Sequence, residues 1–228
     1  MDLFQRLKAD AKKEWSAYVS HEFVRQLGSG SLPEACFRHY LVQDYLFLIQ
    51  FARAYALGLY KSPTMDDMRA SLEGVKAILE TELELHIGLC AGWGMDRAMI
   101  EASEEDGPTM AYTRFVLETG MAGDLLDLQV ALAPCIMGYA EIGAGLENRH
   151  SGDLATNPYR RWIAEYAGEA YQAVARDFGF WMDRTAEVYL TDARYPRLAT
   201  IYRKATILEA DFWQMGLNAP EGHAQPRA

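Results

Sequence analysis

The sequence predicts an all-α fold, and three observations carry that expectation. Apolar residues recur at spacings of three and four along almost the whole chain. Period-two alternation rich in β-branched residues is missing. The long periodic runs are separated by short clusters of glycine, proline and serine rather than by extended linkers. Together these describe a helical bundle with short loops.

The first run extends from about Asp2 to Leu27, with Leu3, Leu7, Trp15, Tyr18, Phe23 and Leu27 apolar, and stops at Gly28-Ser29-Gly30. Ser31 before Leu32-Pro33-Glu34 reads as an N-cap followed by proline and acid in the first turn. The second helix, about Pro33 to Tyr60, carries Phe37, Tyr40, Leu41, Asp44, Phe47, Leu48, Phe51 and Tyr55, and Ser62-Pro63 ends it. A third covers roughly Met65 to Cys90 and closes at Gly92-Trp93-Gly94. Short helical segments are expected near Arg97–Ala102 and Thr109–Thr119, on either side of an acidic turn, Glu104-Glu105-Asp106-Gly107-Pro108.

After a break at Gly120 to Gly123, a long apolar stretch continues to about Asn148 and includes Ala133-Pro134-Cys135-Ile136-Met137-Gly138-Tyr139. Cys135 and Tyr139, four apart, share one helix face. Pro134 has no N–H for the carbonyl of Val130, so a kink is expected beside the thiol. Asn157-Pro158 begins another helix towards Leu190, bent at Gly168 or Gly179, and the last runs from about Pro196 to Leu217. Residues 1–219 are expected to form one domain and 220–228 a flexible, polar tail.

Composition narrows the function. Three widely separated cysteines, Cys36, Cys90 and Cys135, argue against a disulfide framework and point to a reducing, cytoplasmic setting. A formal charge of −10 argues against nucleic acid and anionic membrane as partners. The amphipathic N-terminus is unlike a signal peptide, and no run of ~20 apolar residues reads as a spanning helix. Nucleotide-binding glycine motifs are missing, and the single Glu147-Asn148-Arg149-His150 spacing lacks the second pair that a di-iron bundle needs, so no metal and no cofactor are expected.

Three side chains stand out for chemistry. Free cysteine is commonly a small core hydrophobe, which suits Cys36 and Cys90; Cys135 differs by its proline and its phenol one turn on. No Lys, Arg or His adjoins it, so any activation must come from residues distant in sequence. Asp44 sits on an aromatic stripe, where it either turns inward or pairs with Arg38 or Arg53. Glu209, before Ala210-Asp211-Phe212-Trp213, is either a surface neighbour of Arg203 and Lys204 or a buried carboxyl able to act as an acid near neutrality. Glu82 and His86, four apart, read as an ordinary helix-face pair.

Gln43-Asp44, Pro134-Cys135 with Tyr139, Tyr166 after Pro158-Tyr159-Arg160-Arg161-Trp162, and Glu209 before Phe212-Trp213 together resemble the TenA/thiaminase II family. The resemblance runs from Trp15 and the turn at residues 28–32 to Trp213. It implies a haem-oxygenase-like helical bundle, commonly a homotetramer, acting in thiamine salvage. The cysteine-containing branch converts 4-amino-5-aminomethyl-2-methylpyrimidine, or thiamine, to the hydroxymethyl pyrimidine. By resemblance Cys135 is the nucleophile, Glu209 the general acid and Asp44 the partner of the pyrimidine's amino edge, with Tyr112, Tyr139 and Tyr166 lining the site. Phe47 departs from the pattern, because well-known members carry a tyrosine there. It keeps the flat ring but not the hydroxyl, so either Tyr166 or Asp44 supplies the polarity or substrate preference changes. The alternatives are a non-catalytic pyrimidine-binding regulator, or a haem or di-iron protein on the same fold with His21 as an axial ligand.

Overall fold

Helices account for every regular element among the described residues, as the three-and-four spacing predicts. The computed structural model describes residues 2–150, 152 and 154–219; the expected flexible tail, 220–228, lies outside them.

The N-terminal run is three helices rather than one: α1 (Leu3–Asp10), α2 (Lys12–Val19) and α3 (Glu22–Ser29). Ala11 and Ser20 leave helical geometry at the two joints. At the second, His21 caps α3, its Nδ1 accepting from the Phe23 N–H at 3.3 Å. The breaks let the apolar residues of three short helices all turn inward, which one straight rod would not allow. Gly30 ends α3 at φ 75°, a left-handed conformation that glycine adopts without steric cost.

α4 (Glu34–Lys61) is the long aromatic helix expected, but its cap differs. Pro33 occupies the N-cap position, and Ser31 instead bonds the Ser29 hydroxyl at 2.8 Å. The next run opens as α5 (Met65–Lys76), capped by the Thr64 hydroxyl. It widens to a π turn at Ala77–Glu82 and resumes as α6 (Leu83–Ala91). α7 (Arg97–Glu101) and α8 (Gly107–Ala122) flank the acidic turn.

α9 (Leu125–His150) is the axis of the bundle, packed against α8, α10 (Arg160–Ala167), α11 (Glu169–Tyr189) and α12 (Tyr195–Leu217). Its start is held by Asp124, whose side chain accepts from the N–H groups of Leu126 and Asp127, and by Arg194, paired with Asp124 at 2.5 Å and Asp127 at 2.9 Å. By length and composition α9 passes as a membrane span, which the sequence reading did not anticipate; 83% of its apolar window is buried inside the molecule. That burial is what a core helix requires.

Of the two glycines expected to bend the next helix, Gly168 acts: it is extended at ψ 147° and separates α10 from α11, while Gly179 stays helical. Asn157 does not cap α10, which begins three residues on. Its amide donates to the carbonyls of Leu27 and Gly28 at 3.1 and 2.9 Å, fastening this corner to the end of α3.

Candidate active site

Helix α9 continues through Pro134, and the side chains around it explain how. Gly138 lies one turn on, and a Cβ there would overlap the Tyr18 ring. The missing Cβ lets Tyr18, from α2, lie across α9 and donate its hydroxyl to the Pro134 carbonyl at 3.3 Å. Cys135 and Tyr139 thus project from a turn braced by a second helix. Cys135 is 9% exposed, whereas Cys90 is sealed.

Glu209 of α12 reaches the same place and is only 2% exposed. Its Oε1 accepts from the Tyr112 hydroxyl of α8 at 2.8 Å, and the Tyr18 hydroxyl and Cys135 thiol lie close enough to its carboxyl to favour its charged form. Burial pushes Glu209 up to about 8, against the pull of those donors. Burial likewise pushes the Cys135 thiol well up, helped by the negative fields of Glu209, Glu82 and Asp44. The resting pair near neutrality is therefore a thiol beside a largely protonated carboxyl. Its chemistry is proton exchange: the acid can give its proton to a ring nitrogen while the thiol gives its own to the acid.

Asp44 turns inward, and neither arginine considered for it is its partner; Arg38 faces Glu34 and Arg53 bonds Gln50. Its Oδ2 meets His86 Nε2 at 2.6 Å and accepts from the Tyr40 hydroxyl at 2.9 Å. His86 Nδ1 lies 2.8 Å from the Glu82 carbonyl, an obligate acceptor, so that nitrogen carries a proton. Burial disfavours charge on His86, but Asp44 outweighs it and raises the imidazole above its ordinary value. The two side chains are buried together, with the protonated form of the imidazole favoured by the contact. Asp44 Oδ1 makes no hydrogen bond among the described residues, yet it is not among the side-chain atoms both sealed and unpaired, so it opens onto a space that admits water.

Aromatic rings wall that space. Phe47 packs against Phe51, Tyr112 and Phe212 at centroid distances of 5.2, 5.1 and 5.6 Å. Tyr139 meets Tyr166 edge-on at 4.9 Å and leans on Trp213 at 5.3 Å. Such pairs contribute about 0.5–1.5 kcal/mol each beyond burial, so they fix the wall as well as fill it. Gln172 of α11 donates to the carbonyls of Ala140 and Tyr166, locking three helices behind Tyr139 and Tyr166. The hydroxyls of Tyr55, Tyr166 and Tyr171 and the carboxyl of Glu82 have no hydrogen-bond partner among the described residues and are not sealed.

All seven residues singled out from the sequence thus gather in one cluster. The structure adds Tyr18, Tyr40, Glu82 and His86. For His86 a signal existed, a histidine one turn after a glutamate on an inward face; Tyr18 gave none beyond apolar periodicity. His21 is occupied as the cap of α3. No group of three or more His, Cys, Asp or Glu side chains able to hold a metal occurs among the described residues.

Comparison with known proteins agrees with this geometry. The chain is 37% identical to an uncharacterized protein of Haemophilus influenzae, over 95% of this chain and 99% of that one. It is 33% identical to an aminopyrimidine aminohydrolase of Halalkalibacterium halodurans, over 96% of each. Its fold superposes with TM-score 0.90 on a TenA family transcription regulator from Silicibacter sp. TM1040, at 44% identity over 94% of this chain and 96% of that one. A domain with a heme oxygenase-like fold from Shewanella denitrificans matches with TM-score 0.74 at 13% identity, over 94% of this chain and 91% of that one, which bears out the fold class. Residues 8–219 match the TENA/THI-4/PQQC family model, and the chain belongs to that family.

Proposed function

We propose that this protein hydrolyses aminopyrimidines in thiamine salvage, exchanging the group on the exocyclic methylene of 4-amino-5-aminomethyl-2-methylpyrimidine, or of thiamine, for a hydroxyl. The observation that carries the proposal is the Cys135 thiol set beside the buried Glu209 carboxyl, with the unpaired Oδ1 of Asp44 in the same aromatic cluster. The aminopyrimidine aminohydrolase to which the chain is 33% identical supports the substrate class.

In the mechanism, the flat ring lies between aromatic walls that include Phe47 and Tyr139. Asp44 Oδ1 accepts from the 4-amino group, and His86, bonded to Oδ2, orients Asp44 for that task. Glu209 protonates a ring nitrogen and takes the thiol proton while sulfur bonds the adjacent ring carbon. Aromaticity is lost, and the ring electrons expel ammonia or thiazole from the methylene. Water then adds there, the carbon–sulfur bond breaks, and the proton returns to sulfur through Glu209. Covalent addition divides one difficult displacement into easier steps. Phe47 leaves the thiol's polarity to Glu209 and its donors, Tyr18 and Tyr112.

Replacing Cys135 by Ala is expected to abolish hydroxymethyl pyrimidine formation from either substrate, measured by mass spectrometry of the products. Normal turnover by that variant would overturn the nucleophile assignment. Free cysteines at 90 and 135 support a reducing, cytoplasmic setting. Exposed Tyr60, Met121, Phe180 and Val188 support self-association as a homotetramer, which light scattering measures directly.

A further inference from the structure

The π turn at Ala77–Glu82 ends on a carboxyl that the mechanism above leaves unused. Single π turns within helices concentrate at functional sites. Glu82 is half-buried, and its carboxyl makes no hydrogen bond among the described residues and stays reachable from solvent. Its backbone is fixed, because its carbonyl is held by His86 at 2.8 Å. The groups that face it come from five helices: Asp44 and Tyr55 of α4, His86 of α6, Cys135 of α9, Glu165 and Tyr166 of α10, and Tyr171 of α11. The Tyr55, Tyr166 and Tyr171 hydroxyls also lack partners. Four polar groups without protein partners gather in one partly buried space, where water or a polar ligand can bond them. Such a space is built for a polar ligand.

The substrate ring says which part of the ligand belongs there. Going round it, the carbon bearing the methylene lies between the amino-bearing carbon and the carbon that takes the thiol. Asp44 marks the first neighbour and Cys135 the second. The methylene substituent therefore points at a group near both Asp44 and Cys135; Glu209 meets that condition too but is taken by the ring nitrogen, which leaves Glu82. Ammonium and thiazolium, the two substituents considered, are cations until they depart and neutral afterwards, which a carboxylate favours at the right moment.

We infer that Glu82 receives the cationic group on the exocyclic methylene and then acts as the base for the water that replaces it. The assignment rests on the proposed hydrolase reading. The methylene–nitrogen bond breaks and its electron pair leaves with neutral ammonia or thiazole. Water oxygen bonds the methylene carbon, and the water proton passes to Glu82. The released electron pair restores the ring as the carbon–sulfur bond breaks. Glu82 returns its proton to ammonia or to solvent. Burial holds Glu82 at about 7, a value suited to a base near neutrality.

The test compares wild type, Glu82→Gln and Glu82→Asp with the aminomethyl pyrimidine and with thiamine, and measures binding of the neutral hydroxymethyl pyrimidine by tryptophan fluorescence. Glu82→Gln is expected to lower kcat/KM about 100-fold for both substrates. It is also expected to remove the acid limb of the pH profile near 7 and to leave product affinity unchanged, while Glu82→Asp recovers part of the rate. An unchanged kcat/KM and pH profile in Glu82→Gln overturns the assignment alone. Product affinity falling in step with kcat/KM overturns it too, since that marks a structural role. Wild type that releases no pyrimidine overturns the hydrolase reading, and the Glu82 assignment with it.

Discussion

At the scale of single residues, the site is a set of buried charges whose partners decide their state. Asp44 is held among aromatic rings by His86 at 2.6 Å and by a further hydrogen bond from Tyr40. Removing one member of such a pair leaves the other uncompensated, which is worse than having neither. His86→Leu is therefore expected to destabilise the fold by about 3–5 kcal/mol at pH 7, read from urea denaturation. His86→Gln, which can still donate to Asp44, should cost less, and equal losses in the two variants would mean that His86 contributes packing rather than its bond to Asp44. From sequence, Asp44 was legible as an odd carboxylate among aromatics, but its partner was not. The nearest arginines in the chain were natural candidates, and the true partner lies forty-two residues away on another helix. Charge pairing across helices leaves no local trace.

At the scale of elements, helix placement was legible because it rests on local periodicity and on breakers, and both lie within a few residues of what they determine. The misreadings came where tertiary contacts override that rule. α1 to α3 read as one helix because their apolar spacing is continuous, yet Ala11 and Ser20 bend so that each short helix faces the core. The π turn before α6 is equally silent in sequence. α9 shows the converse, a helix whose composition hides what it packs against. Its Pro134 was conspicuous, while Gly138, with no side chain to notice, is what admits the Tyr18 ring. Gly138→Ala should force that ring away and loosen the Tyr18 contacts to both the Pro134 carbonyl and Glu209. The expected cost is about 1–3 kcal/mol of stability, typical of overpacking, with a fall in kcat because the thiol and its acid lose their brace. Thermal melting and steady-state kinetics check the two effects separately. A variant that melts lower but keeps its kcat would show that Tyr18 supports the fold and not the site.

For the whole molecule, the buried ionisable groups make the fold's stability depend on pH in an unusual direction. Glu82 and Glu209 sit at about 7 and about 8, both above the ordinary carboxyl range because of burial. Between the unfolded carboxyl value near ~4.5 and those folded values, the native state binds more protons than the unfolded chain. Stability from these groups is therefore fully present below that unfolded value and is lost as pH rises through about 7 and then about 8. His86, whose imidazole is raised by Asp44, adds in the same direction, because its contribution is lost as it deprotonates. Most carboxylates in folded proteins act oppositely and favour higher pH. The melting temperature is thus expected to fall steadily from pH 6 to pH 9. Glu209→Gln should flatten the upper part of that decline and melt higher than wild type at pH 9, by about 2 kcal/mol or more in stability, while losing turnover. Differential scanning calorimetry across that range makes the comparison, and a wild-type melting temperature that rises with pH would show that neither carboxyl is held protonated in the folded protein. The expected trade has a functional logic. A fold that gives up stability at neutral pH to keep two carboxyls poised on either side of a thiol is holding them for proton transfer, and a bound aminopyrimidine, which offers a cation to one and a ring nitrogen to the other, should recover much of what their burial costs.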